Sequence, residues 1–389
     1  MPLLVNVFLR GAADGLSLLA PVGDPAYYAA RPTQALAVPA VIDVGIDGFG
    51  LHPAMPQLAE LTRSGRVALV PAAGYGGQTR SHFQSQAILE TAVGDDGAGT
   101  SGAGLGWLAS LLAAGGSRSA SPFRGVAVGS VSVPPSMWGS DDTLGVPDPT
   151  TLRLGALRPA RRKRGSYRVL DSQLAPDPSA LQQAWLDDQT MPPITTRGVS
   201  AAVGVLDRAG ADPIAITETG AFGDGPTAAT FAAASAIIDA GLDTEVVQID
   251  LGGWDTHKSQ GTVDGTFADL AAGLDAGLGG LFARHGGSVS GKEGGLDGGL
   301  VVTVMSEFGR RLQENASGGT DHGRGGLALV IGADVAGGLH GTWPGLAELA
   351  DGDVQAVNDL RVLQSEVAMH VFGAKVPVPA DAAPLNLFA

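Results

Sequence analysis

Glu245-Val246-Val247-Gln248-Ile249-Asp250-Leu251-Gly252-Gly253-Trp254-Asp255-Thr256-His257 is the stretch whose reading decides the fold. Its first seven residues are a short apolar run rich in valine and leucine, which reads as a strand covered on both faces, the mark of a parallel sheet. The same reading applies to Leu3 to Leu9, Arg66 to Pro71, Gly125 to Ser130, Gly299 to Met305 and Leu327 to Ile331. Helical stretches lie between them: Met55 to Ser64, Ser81 to Ala92, Gly106 to Ala114, Ser179 to Asp188, Ala228 to Ala240, Thr266 to His285 and Asp353 to Phe372. This alternation predicts an α/β chain with helices on both sides of a mostly parallel sheet. In such a sheet the loop after a strand's C-terminal end faces the ligand crevice, so Gly252 and Gly253 deliver Asp255 and His257 to that edge.

The composition agrees with a large buried core. Of 389 residues, 44% are hydrophobic, 16% charged and 5% aromatic, which is ordinary for a globular chain. One body spanning residues 1–389 is expected, with a lid or insertion over residues 130–225, where Pro134-Pro135, Pro147 and Pro149 break the pattern. The basic run Arg158 to Arg164 within it reads as a solvated surface stretch, and Gly286 to Gly298 as a loop. Thirty-nine acids against 24 bases give a net charge of −15, which argues against broad nucleic-acid binding. With no cysteine there is no disulfide, thiolate ligand or thiol nucleophile. No stretch approaches the roughly 20 apolar residues of a membrane span. Met1 to Leu9 runs into a core strand without a basic leader, so a cytoplasmic location is expected as written, and a periplasmic or secreted one if a leader was removed. Oligomeric state leaves no trace in the sequence.

The scarce histidines and acids gather in glycine-rich loops at strand ends. Asp14 follows the first strand in Arg10-Gly11-Ala12-Ala13-Asp14-Gly15, as a metal ligand or as the cap of the next turn. Thr79-Arg80-Ser81-His82-Phe83-Gln84 opens a helix. Ser81 with Gln84 makes a capping box, and a hydroxyl there also gains from the helix dipole beside Arg80 and His82. Asp255 and His257, two apart, project to one side of an extended segment. Glu307, closing a buried run in Met305-Ser306-Glu307-Phe308-Gly309-Arg310, needs a partner or a metal; Arg310 is either its salt-bridge partner or an anion clamp. Asp321-His322 sits among Gly318, Gly319, Gly323, Gly325 and Gly326, in a loop that either approaches a ligand or simply turns. His340 is a weaker candidate, supporting a ligand from behind. His52, His285 and His370 read as structural or surface residues.

Taken in order, the motifs around Asp14, Ser81, Asp255, Glu307 and His322 resemble those of a large bacterial family of unknown function. Its members usually carry a twin-arginine export signal, and it belongs to the alkaline phosphatase and sulfatase superfamily. The resemblance covers Leu3 to about Leu346. It implies a three-layer α/β/α sandwich with one or two divalent metals, Zn or Mn, at the C-terminal edge of the sheet, and a metal-activated serine. Carried over, Asp14 would bind one metal with Ser81 bridging toward it; Asp255, His257 and His322 would bind the other, with Glu307 in the strand-end acid position. Arg80 or Arg310 would hold the remaining anionic oxygens. The chain departs from the superfamily pattern in two places: Asp255 and His257 are two apart rather than four, and Glu307-Phe308 replaces an adjacent Asp-His. Either His82 or Asp321-His322 then supplies the missing imidazole, and a single metal becomes possible. No cysteine-containing sulfatase signature is present. The expected activity is hydrolysis or transfer of a phosphate or related ester on a small-molecule or glycan substrate; the alternative is a non-catalytic metal-containing protein of the same fold.

Overall fold

The computed structural model describes residues 3–75, 79–91, 105–114, 121, 123–129, 133–140, 142–146, 219–240, 242–286 and 299–389. Strand β1 (Leu3–Leu9) leads into a short helix α1 (Gly15–Leu18), strand β2 (Leu19–Ala20) and helix α2 (Pro25–Ala30). Strand β3 (Gly50–Leu51), helix α3 (Pro56–Arg63), strand β4 (Val67–Gly74), helices α4 (His82–Thr91) and α5 (Trp107–Ala114), and strands β5 (Gly125–Val128) and β6 (Thr143–Val146) follow. The second half brings helix α6 (Gly225–Asp239), strand β7 (Val246–Leu251), helix α7 (Thr266–His285), strand β8 (Leu300–Met305) and the pair β9 (Arg310–Glu314) and β10 (Thr320–His322). It ends with strands β11 (Gly326–Ile331), β12 (Gly338–Leu339) and β13 (Asn358–Asp359) and helix α8 (Leu360–Phe372).

One nine-stranded sheet runs β12-β4-β11-β8-β1-β7-β5-β6, with β13 also paired to β4. Every pairing is parallel except those of β11, which runs against both β4 and β8. The sheet is thus mostly parallel, and the expectation for Leu327 to Ile331 is corrected in direction only. That run is continuous because both its faces are covered, and burial on two faces does not depend on strand polarity. β1 shows how the layers form: Leu3, Val5, Val7 and Leu9 enter an apolar cluster with α3, α6 and α7, while Leu4 and Phe8 enter a second cluster with α5 and α8. Each fully buried Val, Leu or Phe contributes about 1.5–3 kcal/mol, so the period of two alone commits β1 to the centre. Asn6, on the second face, is satisfied sideways: its amide donates to Gln248 Oε1 at 2.5 Å, and Thr303 Oγ1 donates to its Oδ1 at 2.6 Å. Those partners sit opposite Asn6 in the registers of β7 and β8.

Several boundaries differ from the sequence reading. The helix expected from Asp353 begins at Leu360, because Asn358–Asp359 pairs with β4 and the Asp359 side chain caps the helix by accepting from Arg361 N at 2.8 Å. Thr143–Val146, inside the stretch expected to be an insertion, is the edge strand of the sheet beside β5. The rest of that insertion from 147 to 218, including Ser179 to Asp188 and the basic run Arg158 to Arg164, lies outside the described residues, as does 287–298. Among the described residues no helix is long and apolar enough to cross a membrane.

Candidate metal centre

Sheet polarity gathers the site. β1, β7, β8 and β4 all end at one edge, so the loops after Leu9, Leu251, Met305 and Gly74 emerge side by side. The reversed strand β11 starts at that edge, so the segment before it brings His322 to the same place. The loops touch backbone to backbone. Gly11, at φ +120°, leaves room where a Cβ would meet Asp255 N at 2.5 Å, and a Cβ on Gly319 would meet the His257 carbonyl carbon at 2.3 Å.

Three imidazoles and one carboxylate converge there. The ligand atoms of His82, Asp255 and His322 lie within 4.8 Å of one another. His82 Nε2 is 3.0 Å from His322 Nε2, which is 3.1 Å from Asp255 Oδ1. His257 joins from another side, its Nε2 being 2.9 Å from His322 Nε2 and 3.1 Å from Asp255 Oδ1. The cluster is open to solvent, with the Asp255 side chain 48% exposed and that of His322 23% exposed.

The opposite nitrogen of each ring is held by an oxygen. His82 Nδ1 lies 2.7 Å from Glu307 Oε1, His257 Nδ1 lies 3.1 Å from Asp321 Oδ1, and His322 Nδ1 lies 3.0 Å from the Arg80 carbonyl. A carbonyl oxygen can only accept, so His322 Nδ1 carries the proton. Glu307 is fully buried, which by itself raises its pKa; its own backbone amide, Gln86 and His82 outweigh that and hold it below the usual carboxylate range. Asp321 is also held low, first by the Asn315 amide, with burial opposing and His257 assisting. Both acids are therefore acceptors, so Nδ1 of each ring carries a proton and Nε2 faces the centre. His322 is pushed below the ordinary histidine value, chiefly by burial, with the Asp255 bond opposing. Asp255 is held below the usual carboxylate range: burial raises its pKa, but hydrogen bonds from Arg310 and His322 and the charges of Arg310 and His257 outweigh that.

The remaining expected residues fall in other places. Asp14 is apart from the cluster: Arg31 takes both its oxygens, Nη1 at 2.5 Å and Nη2 at 3.0 Å, with Ser17 Oγ at 2.7 Å and Gln260 Nε2 at 2.8 Å on Oδ2. It stands at the N-cap of α1, but its side chain does not bond that helix's backbone either. Arg310 is neither the partner of Glu307 nor free to clamp an anion. Its fully buried guanidinium donates to the carbonyls of Ala12, Thr320, Gly11 and Trp254 and to Asp255 Oδ1 at 2.6 Å, tying three of the loops together. Arg80 bonds Asp353 through Nε and Nη2, and Asp351 through Nη2 at 3.0 Å, while its carbonyl serves His322. Ser81 immediately precedes α4. The expected box is relayed: Ser81 N donates to Thr79 Oγ1 at 3.0 Å, and that hydroxyl donates to Gln84 Oε1 at 2.7 Å. His340 meets the Leu385 carbonyl and supports no ligand.

Sequence reasoning missed the residues that hold the clustered side chains in place. Gln86, one turn after His82 on α4, donates to Glu307 Oε1 at 2.8 Å. Asn315 donates to Asp321 Oδ1 and the His257 carbonyl, both at 3.0 Å. Gln260 accepts from Thr256 and Thr320, one from each ligand loop, while donating to Asp14. Phe308, where the superfamily pattern has an imidazole, instead packs against the rings of His82 and His322, each with centroids 5.1 Å apart. The i,i+4 spacing of His82 and Gln86 was the one signal of these available in the sequence.

No curated protein and no solved structure matches the chain. Residues 193–363, which carry Asp255, His257, Glu307, Asp321 and His322, match the profile of a family described as "Protein of unknown function (DUF1501)", and that match supports similarity to a family of unknown function.

Proposed function

We propose that His82, Asp255 and His322, with His257 beside them, hold one divalent cation, and that the chain uses it to hydrolyse or transfer a phosphate or related ester, as in the alkaline phosphatase and sulfatase superfamily. One observation carries the reading: three imidazoles, each oriented by an oxygen on Nδ1, aim Nε2 at one ionised carboxylate. Nε2···Nε2 approaches of 2.9 and 3.0 Å bring the three ring nitrogens to one point, and with Nδ1–H held by an oxygen on each ring, the Nε2 lone pairs would be available to ligate a central cation. Imidazole nitrogens with a carboxylate suit Zn or Mn; Ca would ask for six to eight oxygens. The bound cation would supply Lewis acidity to an ester oxygen at the half-exposed face of Asp255.

The chain's own residues supply the rest. Ser81, at the positive end of α4 and next to His82, offers the attacking hydroxyl. Glu307, Asp321 and the Arg80 carbonyl keep the three rings in the ligating tautomer, and Arg310 holds Asp255 ionised and in place. The test combines metal analysis with turnover of aryl phosphate and aryl sulfate esters by wild type, Ser81→Ala and His322→Ala. Wild type is expected to hold one metal ion per chain and turn over. Ser81→Ala should keep the metal and lose at least about a hundredfold in rate, as deletion of a nucleophile does. His322→Ala should lose both. Absence of any metal in wild type sinks the proposal.

A second reading has an observation in its favour: Asp14 and Arg310, which in that superfamily pattern would bind a metal and hold an anion, are consumed by internal contacts. A non-catalytic metal site then follows, and bound metal with no Ser81-dependent turnover is its signature.

A further inference from the structure

Beside the cluster, three arginines crowd one buried acid. Asp353 is fully buried, and its Oδ2 is already used by Arg80, through Nε at 2.9 Å and a still shorter contact from Nη2. Arg311 Nε stands 3.6 Å from Asp353 Oδ1 and Arg324 Nε 3.5 Å from Oδ2, both too far for hydrogen bonds. Arg324 Nε is shielded from water with no hydrogen-bond partner, as is Asp353 Oδ1. Besides Asp353, the three guanidinium groups face only Asp351 and Asp321, which are 69% and 55% exposed and so weakened by solvent. Their positive charge is only partly compensated, and two planar forks, on Arg311 and Arg324, lack hydrogen-bond acceptors among the described residues.

An ion-pair network built only to hold the turn at Asp351–Asp353 needs Arg80 alone. Two further cations drawn onto the same carboxylate repel each other, and an incoming anion would relieve that. The arrangement adjoins the cluster through Arg80, which gives its carbonyl to His322. Arg324 follows His322 by two residues in sequence, and the charge of Arg311 acts on Asp321, which holds His257. Side-chain exposures of 26% for Arg80, 38% for Arg311 and 19% for Arg324 leave the forks reachable from solvent.

We propose that Arg311 and Arg324, braced by Arg80 and Asp353, form a binding subsite for a tetrahedral dianion, so that the substrate of the adjoining centre carries a phosphate-type group there. Planar forks recognise such a group in bidentate fashion, and a dianion answers the excess charge better than a carboxylate does. The inference rests on the metal-centre reading only for the word substrate; the subsite itself stands without metal.

The test titrates inorganic phosphate, with sulfate and acetate as comparison ions, into the full chain with zinc and after stripping with chelator. Saturable phosphate binding is expected in both states, stronger than that of acetate. Arg311→Gln and Arg324→Gln should each weaken it by about tenfold or more, the loss of one charge-assisted hydrogen bond, with zinc affinity unaltered. Phosphate protection of Arg311 and Arg324 from phenylglyoxal in wild type, read by peptide mass, needs no variant to fold. No saturable phosphate binding in the stripped chain, acetate binding as tightly, affinity indifferent to both substitutions, or no protection overturns the proposal. Loss of zinc binding with phosphate binding intact instead overturns the metal-centre reading.

Discussion

Replacing Glu307 with glutamine isolates the contribution of charge behind a ligand. Glu307 Oε1 accepts from His82 Nδ1 at 2.7 Å, Gln86 Nε2 at 2.8 Å and Gly11 N at 3.1 Å, while Oε2 faces Ser306 Oγ at 3.0 Å. A glutamine that keeps its oxygen at the Oε1 position retains all three of those bonds. Its new amide group then faces Ser306 Oγ, which can accept, because the serine proton has the Leu9 carbonyl at 2.6 Å as an alternative partner. The fold should therefore survive, and what disappears is the negative charge. A hydrogen bond to a charged acceptor contributes about 1.5–3 kcal/mol against about 0.5–1.5 for a neutral one, and the difference corresponds to about five- to fifteenfold in an equilibrium constant. The less basic imidazole adds to this, so zinc affinity should fall by about 10- to 100-fold, the usual effect of removing the carboxylate behind a ligating histidine. Competition with a chelating dye at fixed pH measures it, with circular dichroism confirming the fold. A folded Glu307→Gln protein with wild-type zinc affinity would refute the assignment of Glu307 as the support of a ligand. Glu307→Ala is the poorer experiment, since it strands buried donors at about 1–3 kcal/mol each and confounds affinity with folding.

Arg31→Met should destabilise the chain by about 3–5 kcal/mol, because it leaves the Asp14 carboxylate buried without its partner. The sign with pH checks the cause. In wild type Asp14 lies below the usual carboxylate range: burial raises it, and Arg31 more than offsets this, so its stabilisation is present above the unfolded value and lost as pH falls through the folded one. Without Arg31 the burial effect dominates and the acid takes up a proton early, so the gap between variant and wild type in urea denaturation should narrow on acidification; a gap independent of pH counts against this. Metal binding has its own pH signature, since the ligating rings must be neutral. His322 is depressed by burial, so its neutral form favours the fold above the ordinary histidine value of about 6.5, and that advantage is lost only as pH falls through the lowered folded value. The extra urea resistance given by zinc should be level near neutrality and shrink at acid pH, and a benefit undiminished at pH 4 would contradict imidazole ligation.

Architecture was legible because apolar period is a property of neighbours in sequence. Leu3–Leu9 and Thr266–His285 appear in the structure with the bounds read from the chain, since a strand buried on both faces or a long helix between glycines advertises itself locally. β9 and β10 did not: Arg310–Glu314 is mostly polar and owes its extended form to pairing with Thr320–His322, a contact no window of sequence contains. The reversed direction of β11 was equally hidden, because burial erases the alternation that distinguishes strand environments.

The residues of the cluster and those behind them differ in the same way. His82, Asp255 and His322 stand out as rare residue types in or beside loops at strand ends, but whether an acid reaches the cluster itself or the ring behind it depends on which side of a buried interface it enters. Glu307 enters from the β8 end beneath His82, so its burial makes it a hydrogen-bond acceptor for that ring, whereas Asp255, half exposed on the next loop, reaches the centre itself. Asp14 shows a third outcome: on the loop after β1, with no solvent to share its charge, it required a dedicated arginine, and Arg31 occupies both oxygens. Burial thus separates half-exposed Asp255 from fully buried Glu307 and Asp14, and the partner at hand, an imidazole for one and Arg31 for the other, separates those two. The resemblance implied a metal for Asp14 and an anion for Arg310, whereas here Arg31 occupies both Asp14 oxygens and backbone carbonyls and Asp255 occupy the Arg310 guanidinium.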